Sequence, residues 1–280
     1  MPAKYKYSAA FQGEKGAFSH AAALKLLGPR TLLVPCGSFR DVFNSLRSDA
    51  ATHAVIPIEN TLHGSIHENY DFLLEYDFPI LGETSVRISH HLIAMPGVPF
   101  SRVRRAYSHP VAINQCRKFF ENHRDIDAVP FYDTAGSVKM LREKNPPEAA
   151  AIASQVAAEI YGGKIIRRNI EDYRQNFTRF FLLSKQIRPV KTAAGNWKTS
   201  LVFSTANVPG ALFRAMACFA LRDLNLTKIE SRPLRGRPWE YLFYVDLLGN
   251  REDQAVQRAL AHLGEIAPLV KILGSYRPTL

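Results

Sequence analysis

The sequence predicts an α/β domain with largely parallel sheets, followed by a smaller βαββαβ domain. Three observations carry this prediction. Short β-rich runs alternate with helical patterns through the first two-thirds of the chain, the pattern of a sheet crossed by helices. From Arg188 to Trp197 a proline, paired alanines and Gly195-Asn196 interrupt that alternation. Beyond the break, the remaining elements form one compact cycle. The expected division is therefore 1–187, a linker at 188–197, and 198–280.

The elements follow in order. Tyr7 to Phe11, Leu32 to Val34, Ala54 to Ile58, Ala128 to Tyr132 and Ala151 to Ala153 read as strands. Phe39, Val42, Phe43 and Leu46 recur at helical spacing, as do Ala153, Val156, Ala157 and Ile160. In the second domain Ser200 to Thr205 is a strand. The helix after it carries Leu212, Ala215, Met216 and Phe219 on its apolar face, with Pro209 near its start, where a missing N–H costs little. Strands Leu226 to Ser231 and Trp239 to Leu247, a helix bearing Val256, Leu260 and Leu263, and a strand around Val270 to Tyr276 complete a ferredoxin-like order.

Composition narrows the function classes. The chain has 280 residues, 46% of them hydrophobic, enough for more than one core. No apolar run reaches bilayer length, so no membrane partner is expected. The first residues lack the pattern of a secretory signal. Cys36, Cys116 and Cys218 are odd in number and far apart; they read as reduced core thiols of a cytoplasmic protein. The formal charge of +11 is scattered in short groups such as Arg102-Arg104-Arg105, Arg167-Arg168 and Arg232-Arg235-Arg237. With no long basic run or nucleic-acid motif, it suits a small polyanionic metabolite better than nucleic acid.

Polar segments at strand ends are where an open α/β sheet places its ligand. Gln12-Gly13 to Ser19-His20 joins a strand to a helix, with Ser19 as the expected N-cap and backbone N–H groups able to hold a carboxylate. Neither the Walker nor the dinucleotide spacing is met. In Pro57-Ile58-Glu59-Asn60-Thr61-Leu62-His63-Gly64-Ser65, Glu59 suits a general acid if partly buried, Asn60 and Thr61 suit donors to a substrate oxygen, and Gly64 would allow close backbone approach. A capped helix start at Asn60 or Thr61 explains the same residues. Ser108 is expected to cap a helix beginning at Pro110, leaving His109 to titrate, pack or bond backbone. Thr134, after Asp133, would face a cleft. His90-His91 has no accompanying ligand set, so no metal is expected. In Asn176-Phe177-Thr178-Arg179-Phe180, alternation puts Thr178 and Phe180 on one strand face and Arg179 on the other.

The segments Gln12-Gly13 to Ser19, Pro57-Ile58-Glu59-Asn60, Ser108-His109-Pro110, Asp133-Thr134-Ala135 and Asn176 to Phe180 stand in the order seen in prephenate dehydratases. The chain resembles that family from about Tyr7 to Tyr276. Pro209-Gly210-Ala211-Leu212 and Glu230-Ser231-Arg232-Pro233 resemble the phenylalanine-binding segments of ACT domains. No chorismate mutase helix precedes the first segment, so the monofunctional form is expected. Thr61 stands where the family usually has serine, and Val111 where it has glutamine.

The resemblance implies a two-lobed catalytic domain like a periplasmic binding protein, with the site between lobes and no metal or organic cofactor. It implies prephenate as substrate, losing CO2 and water to give phenylpyruvate in phenylalanine biosynthesis. Thr178 would donate to the leaving oxygen, with Glu59 the rival proton source. Arg179 would anchor a carboxylate, and Asn60, Thr61, Gly64, Ser108, Gln115, Thr134 and Phe180 would complete the pocket. Phenylalanine would bind between paired ACT domains at Asn207, Pro209, Gly210, Ala211, Leu212, Glu230 and Ser231, in a homodimer or homotetramer. Arogenate dehydratase is the nearest alternative. A non-catalytic amino-acid sensor is the alternative from another class, and a nucleic-acid-binding regulator a third.

Overall fold

The computed structural model describes residues 5–186, 196–234 and 240–279. Most of the expected linker, along with Trp239, Arg235 and Arg237, lies outside them. The chain divides into two compact units: residues 1–70 with 84–180, and residues 71–83 with 181–280.

The first unit is two α/β lobes. In the first lobe the strands Ile80–Arg87, Phe177–Leu183, His53–Asn60, Tyr7–Gln12 and Thr31–Cys36 lie side by side in that order. Tyr7–Gln12 pairs in parallel with both Thr31–Cys36 and His53–Asn60. The second lobe orders Lys164–Arg167, His91–Ala94, Ala149–Ala153, Arg105–Ser108 and Asp127–Pro130. Its last three strands are parallel; His91–Ala94 runs antiparallel to both its neighbours, so Lys164–Arg167 points the same way as those three. Four of the five strands therefore point one way, as expected of a largely parallel sheet, and the reversed one is His91–Ala94.

Alternation builds the second lobe. Ala149, Ala151, Ala153 and Ile93 pack into one core with Val138, Leu141 and Ala157. Ala150, Ile152, Leu92 and Ala94 pack into another with Val103, Cys116 and Phe119. A sheet covered on both faces reads as a near-continuous apolar run. The helix Gln155–Tyr161 buries Ala157 and Ala158 and leaves Ile160 exposed, so its inward face is offset from the predicted Val156–Ile160 stripe.

In the second unit the strands Lys198–Thr205, Leu226–Pro233, Tyr241–Leu248 and Leu269–Tyr276 and the helices Ala211–Ala220 and Gln254–Ile266 give the βαββαβ order. The sheet is antiparallel, with the second, third, first and fourth of these strands adjacent in turn, the ferredoxin-like topology. The buried helix face is Ala215, Cys218 and Phe219; Leu212 is exposed, contrary to its expected inward place. The segment 71–83 is fastened here by polar contacts. Both Asp71 carboxylate oxygens accept from the Arg232 guanidinium at 3.1 Å, Asp77 pairs with Lys271 at 2.8 Å, and Glu83 pairs with Lys198. Among the described residues no helix is long and apolar enough to cross a membrane. The three cysteines are free.

Candidate active site

Two neighbouring strand ends of the first lobe build the site. His53–Asn60 finishes beside the start of Phe177–Leu183, and Thr61 pins them together. Its N–H donates to the Phe177 carbonyl at 2.9 Å, and its hydroxyl donates to the Gln175 carbonyl and accepts from the Phe177 N–H. Thr61 is thus a clip between backbones, exposed and away from the cavity described next. Its hydroxyl is the part the clip needs, which serine would supply equally.

A cavity of about 420 Å³ lies at these ends, lined from the first lobe by Gln12, Phe18, Asn60, His63 and Thr178, and from the second by His109, Val111, Gln115, Tyr132, Asp133 and Thr134, among others. The hub is Asn60. Its side-chain oxygen accepts the backbone N–H groups of Leu62 at 3.0 Å and His63 at 3.1 Å. Backbone N–H groups can only donate, so the amide orientation is fixed. The Asn60 nitrogen then faces the other way, donating to Asn176 Oδ1 at 2.8 Å and Thr178 Oγ1 at 3.0 Å. Because Thr178 accepts here, its own proton is available to the cavity; no acceptor for it is found among the described residues. At 8% exposure Thr178 is shielded but reachable.

Alternation sends the next residue along each strand to the opposite face. Glu59 and Arg179 meet there, Nε to Oε2 at 3.6 Å, and neither lines the cavity. The structure therefore does not bring Glu59 to Thr178 as a rival acid, nor Arg179 as a carboxylate anchor. Among the described residues no lysine or arginine lines the cavity; its donors are amides, imidazoles and hydroxyls. Phe180 shares the Thr178 face but is buried in the core and does not reach the cavity.

Several expected roles are corrected. Ser108 is wholly buried, its hydroxyl donating to the Ile152 carbonyl at 2.6 Å, and the cap of the short helix Pro110–Asn114 is His109. His109 Nδ1 accepts the Val111 N–H at 3.2 Å, which places the neutral ring's proton on Nε2. Gly64 has φ +74° and open space where a Cβ would stand; it serves the turn, not a close approach. Ser19 lies inside the helix Phe18–Leu27 and caps nothing; instead His20 Nδ1 accepts the Gly16 N–H at 2.8 Å. The carboxylate that the Gly13-Glu14 backbone holds is the protein's own Asp133, which takes N–H donors from Glu14 and Gly136.

Gln115 and Thr134 do line the cavity, as expected. Gln115 is buried, with Oε1 2.7 Å from His90 Nε2 and Nε2 3.2 Å from His63 Nδ1. Burial holds the His90 imidazole below its usual pKa, against the raising effect of the Gln115 bond. Burial raises the Asp133 carboxyl, opposed by the Gly136 and Glu14 N–H groups. Burial and the bond to Glu14 push the Tyr132 phenol to about 12. Sequence reasoning missed His63, Asn176, Tyr132 and Asp133 as site residues. The signal for Asn176 was an amide heading the run Phe177 to Leu183, an amide the structure buries wholly. Among the described residues no cluster of His, Cys, Asp or Glu could hold a metal.

In the second unit, Asn207, Pro209, Gly210 and Leu212 are exposed around the start of the helix Ala211–Ala220, with Gly210 at φ +77° as its N-cap. Glu230 is partly buried and pairs with Lys228 at 3.6 Å, while Ser231 is exposed on the other strand face. A cavity of about 200 Å³ nearby is lined by Thr205, Val208, Ala211, Arg214 and Ile266, among others. It shares Ala211 alone with the expected effector set.

The prephenate dehydratase family model matches residues 9–188. An arogenate dehydratase/prephenate dehydratase of Arabidopsis thaliana is 43% identical over 278 residues, covering 95% of this chain and 72% of the relative. The solved structure of a prephenate dehydratase from Arthrobacter aurescens in complex with L-Phe is 32% identical, with TM-score 0.87, covering 98% of this chain and 92% of that one. A solved quorum-quenching acylase is 34% identical, with TM-score 0.89, covering 97% and 98%.

Proposed function

We infer the activity from a membership that the comparisons establish: this chain belongs to the prephenate dehydratase family. The reaction is the decarboxylating dehydration of prephenate to phenylpyruvate, on the route to phenylalanine. The ring carboxylate leaves as CO2, and its electron pair moves into the ring and expels the 4-hydroxyl. A proton drawn from solvent joins that hydroxyl to make water. Aromatisation drives the step, so the barrier lies in making hydroxide leave.

One observation carries the assignment to this site. Asn60 donates to Thr178 Oγ1, so the threonine can point its proton at a departing oxygen as charge develops there, the use of a preorganised donor that lowers barriers most. Threonine is too weak an acid to surrender that proton, so its contribution is a hydrogen bond that strengthens in the transition state. The carboxyl that lines the cavity is Asp133, not Glu59. Gln115, Thr134 and His109 are the polar side chains placed to meet the substrate's negative ends. The apolar remainder, Phe18, Phe39, Ile66 and Val111 among them, gives the departing carboxylate a poorly solvated setting.

The βαββαβ segment, 198–280, is proposed as an ACT regulatory domain attached to a catalytic segment, 1–187. Phenylalanine would bind where two such domains pair, at Asn207, Pro209 to Leu212, Glu230 and Ser231, in a dimer or tetramer. Its support is the complex with L-Phe of the Arthrobacter relative and the exposure of these segments here. Inhibition follows if phenylalanine binds a less active arrangement more tightly.

The test offers purified protein prephenate, arogenate and an acylated quorum signal separately, each with and without phenylalanine. Phenylpyruvate from prephenate, suppressed by phenylalanine, is the expected result. Phenylalanine formed from arogenate alone moves the preference to that substrate. Hydrolysis of the acylated compound alone overturns the reading.

A further inference from the structure

We propose that His63 is a positioning residue that couples the second lobe to the Thr178 hydroxyl. The observation is a continuous chain of polar contacts along the cavity wall. His90 Nε2 lies 2.7 Å from Gln115 Oε1, and Gln115 Nε2 lies 3.2 Å from His63 Nδ1. His63 Nδ1 lies 3.2 Å from Asn60 Oδ1, and Asn60 Nδ2 lies 3.0 Å from Thr178 Oγ1. Gln115 belongs to the second lobe; His63, Asn60 and Thr178 belong to the first. All five residues line the cavity.

The two contacts at His63 Nδ1 make opposite demands. Asn60 Oδ1 is fixed as an acceptor by the Leu62 and His63 N–H groups, so that contact is a hydrogen bond only when Nδ1 carries a proton. The Gln115 amide nitrogen can only donate, so its contact is a hydrogen bond only when Nδ1 is bare. With Nδ1 bare, His63 ties the lobes together through Gln115. With Nδ1 protonated, it donates to Asn60, and Gln115 must turn its oxygen toward His63 and its nitrogen toward His90. The second arrangement draws electron density toward the Asn60 oxygen. It thereby strengthens the Asn60 bond to Thr178 and makes the threonine O–H a better donor, the mutual polarisation expected of linked hydrogen bonds. His63 is exposed and can exchange its proton with solvent. The other titratable groups lining the cavity are His90, beyond Gln115, and His109, Tyr132 and Asp133 from the second lobe.

The inference rests on the reading of Thr178 given above, and the experiment separates the two. Steady-state kinetics on prephenate are measured against pH for the full-length protein and for His63→Leu, His63→Asn, Thr178→Val and the His63→Leu/Thr178→Val pair. Melting curves confirm that each variant is folded. His63→Leu is expected to lower kcat roughly tenfold with KM moved by less than about threefold. His63→Asn, which keeps an amide nitrogen near the Nδ1 position, is expected to recover kcat to within about threefold of the parent. Adding His63→Leu to Thr178→Val should cost nothing further, since a group acting through Thr178 has no effect without it. The proposal is overturned by an unchanged kcat in His63→Leu, by an additive loss in the pair, or by a kcat in His63→Asn as low as that of His63→Leu. Normal turnover in Thr178→Val instead removes the threonine reading on which it stands.

Discussion

The strand ends at Asn60 and Thr178 have two faces, and the residues one step along each strand show what the difference between them means. On the cavity face, Asn60 and Thr178 form a neutral hydrogen-bond network with fixed donor directions. On the other, Glu59 and Arg179 form an ion pair. A cluster of acid, base and hydroxyl in one pentapeptide and its neighbour looks like a single catalytic constellation in sequence. Strand alternation splits it into a hydrogen-bonded Asn60–Thr178 pair on one face and an ion pair on the other. Adjacency along a strand separates side chains; adjacency between strands joins them.

The comparison can be broken most sharply at Thr178. Replacing it by valine keeps the shape and removes the proton; kcat should fall at least ~100-fold, about 2.7 kcal/mol of barrier, with KM nearly unchanged. Equal loss of affinity with normal turnover would move the hydroxyl out of the chemistry. Asn60→Ala should approach that loss and also lower stability by roughly 2–3 kcal/mol, because the turn N–H groups and the buried Asn176 oxygen lose their partner. Urea unfolding read beside kinetics would show the two effects together; a loss of stability with intact turnover would make Asn60 a strut only.

Acid sharpens the contrast between neutral and charged faces. Burial is the leading cause that holds His20, His90 and His91 below the ordinary imidazole value of about 6.5. Above pH 6.5 these imidazoles are neutral folded and unfolded, and stability is full. As pH falls below it, the unfolded chain takes up protons that the folded one resists, and stability declines. Melting temperature should drop steadily between about pH 7 and 5; a rise over that interval would show charged imidazoles in the native protein. The smallest effect is expected at Glu59→Gln, with kcat within about threefold and stability within about 1 kcal/mol, as for a part-exposed pair. A tenfold or greater loss of kcat would return Glu59 to the chemistry.

What could be read from the sequence follows the same division. The run Phe180 to Leu183, the alternation across Thr178 and Arg179, and the ferredoxin-like order after Lys198 depend on local periodicity, and periodicity shows them. Thr134 reaches the cavity because it sits at a strand-to-helix junction, as the rule for open sheets places it, whereas Gln115 reaches it from the end of the short helix Pro110–Asn114. The failures concern which partner a polar group chooses. Ser19 and Ser108 have good capping chemistry, but His20 and His109 accept the N–H groups instead, and the Ser108 hydroxyl goes to Ile152, 44 residues away in sequence. His63 is a polar residue in a turn until Gln115 arrives from the other lobe. The segment 71–83 joins the second unit through Asp71, Asp77 and Glu83, contacts that no local pattern announces.

The bond from Gly16 N–H to His20 Nδ1 has one further effect. Most amides exchange hydrogen with solvent more slowly as solution becomes more acidic. The Gly16 amide is held by a ring nitrogen that loses its lone pair on protonation, so its protection should collapse when the imidazole charges. In a deuterium-labelling series, this single glycine would stand apart from its neighbours as an internal acidity gauge, read at one backbone position without any added probe.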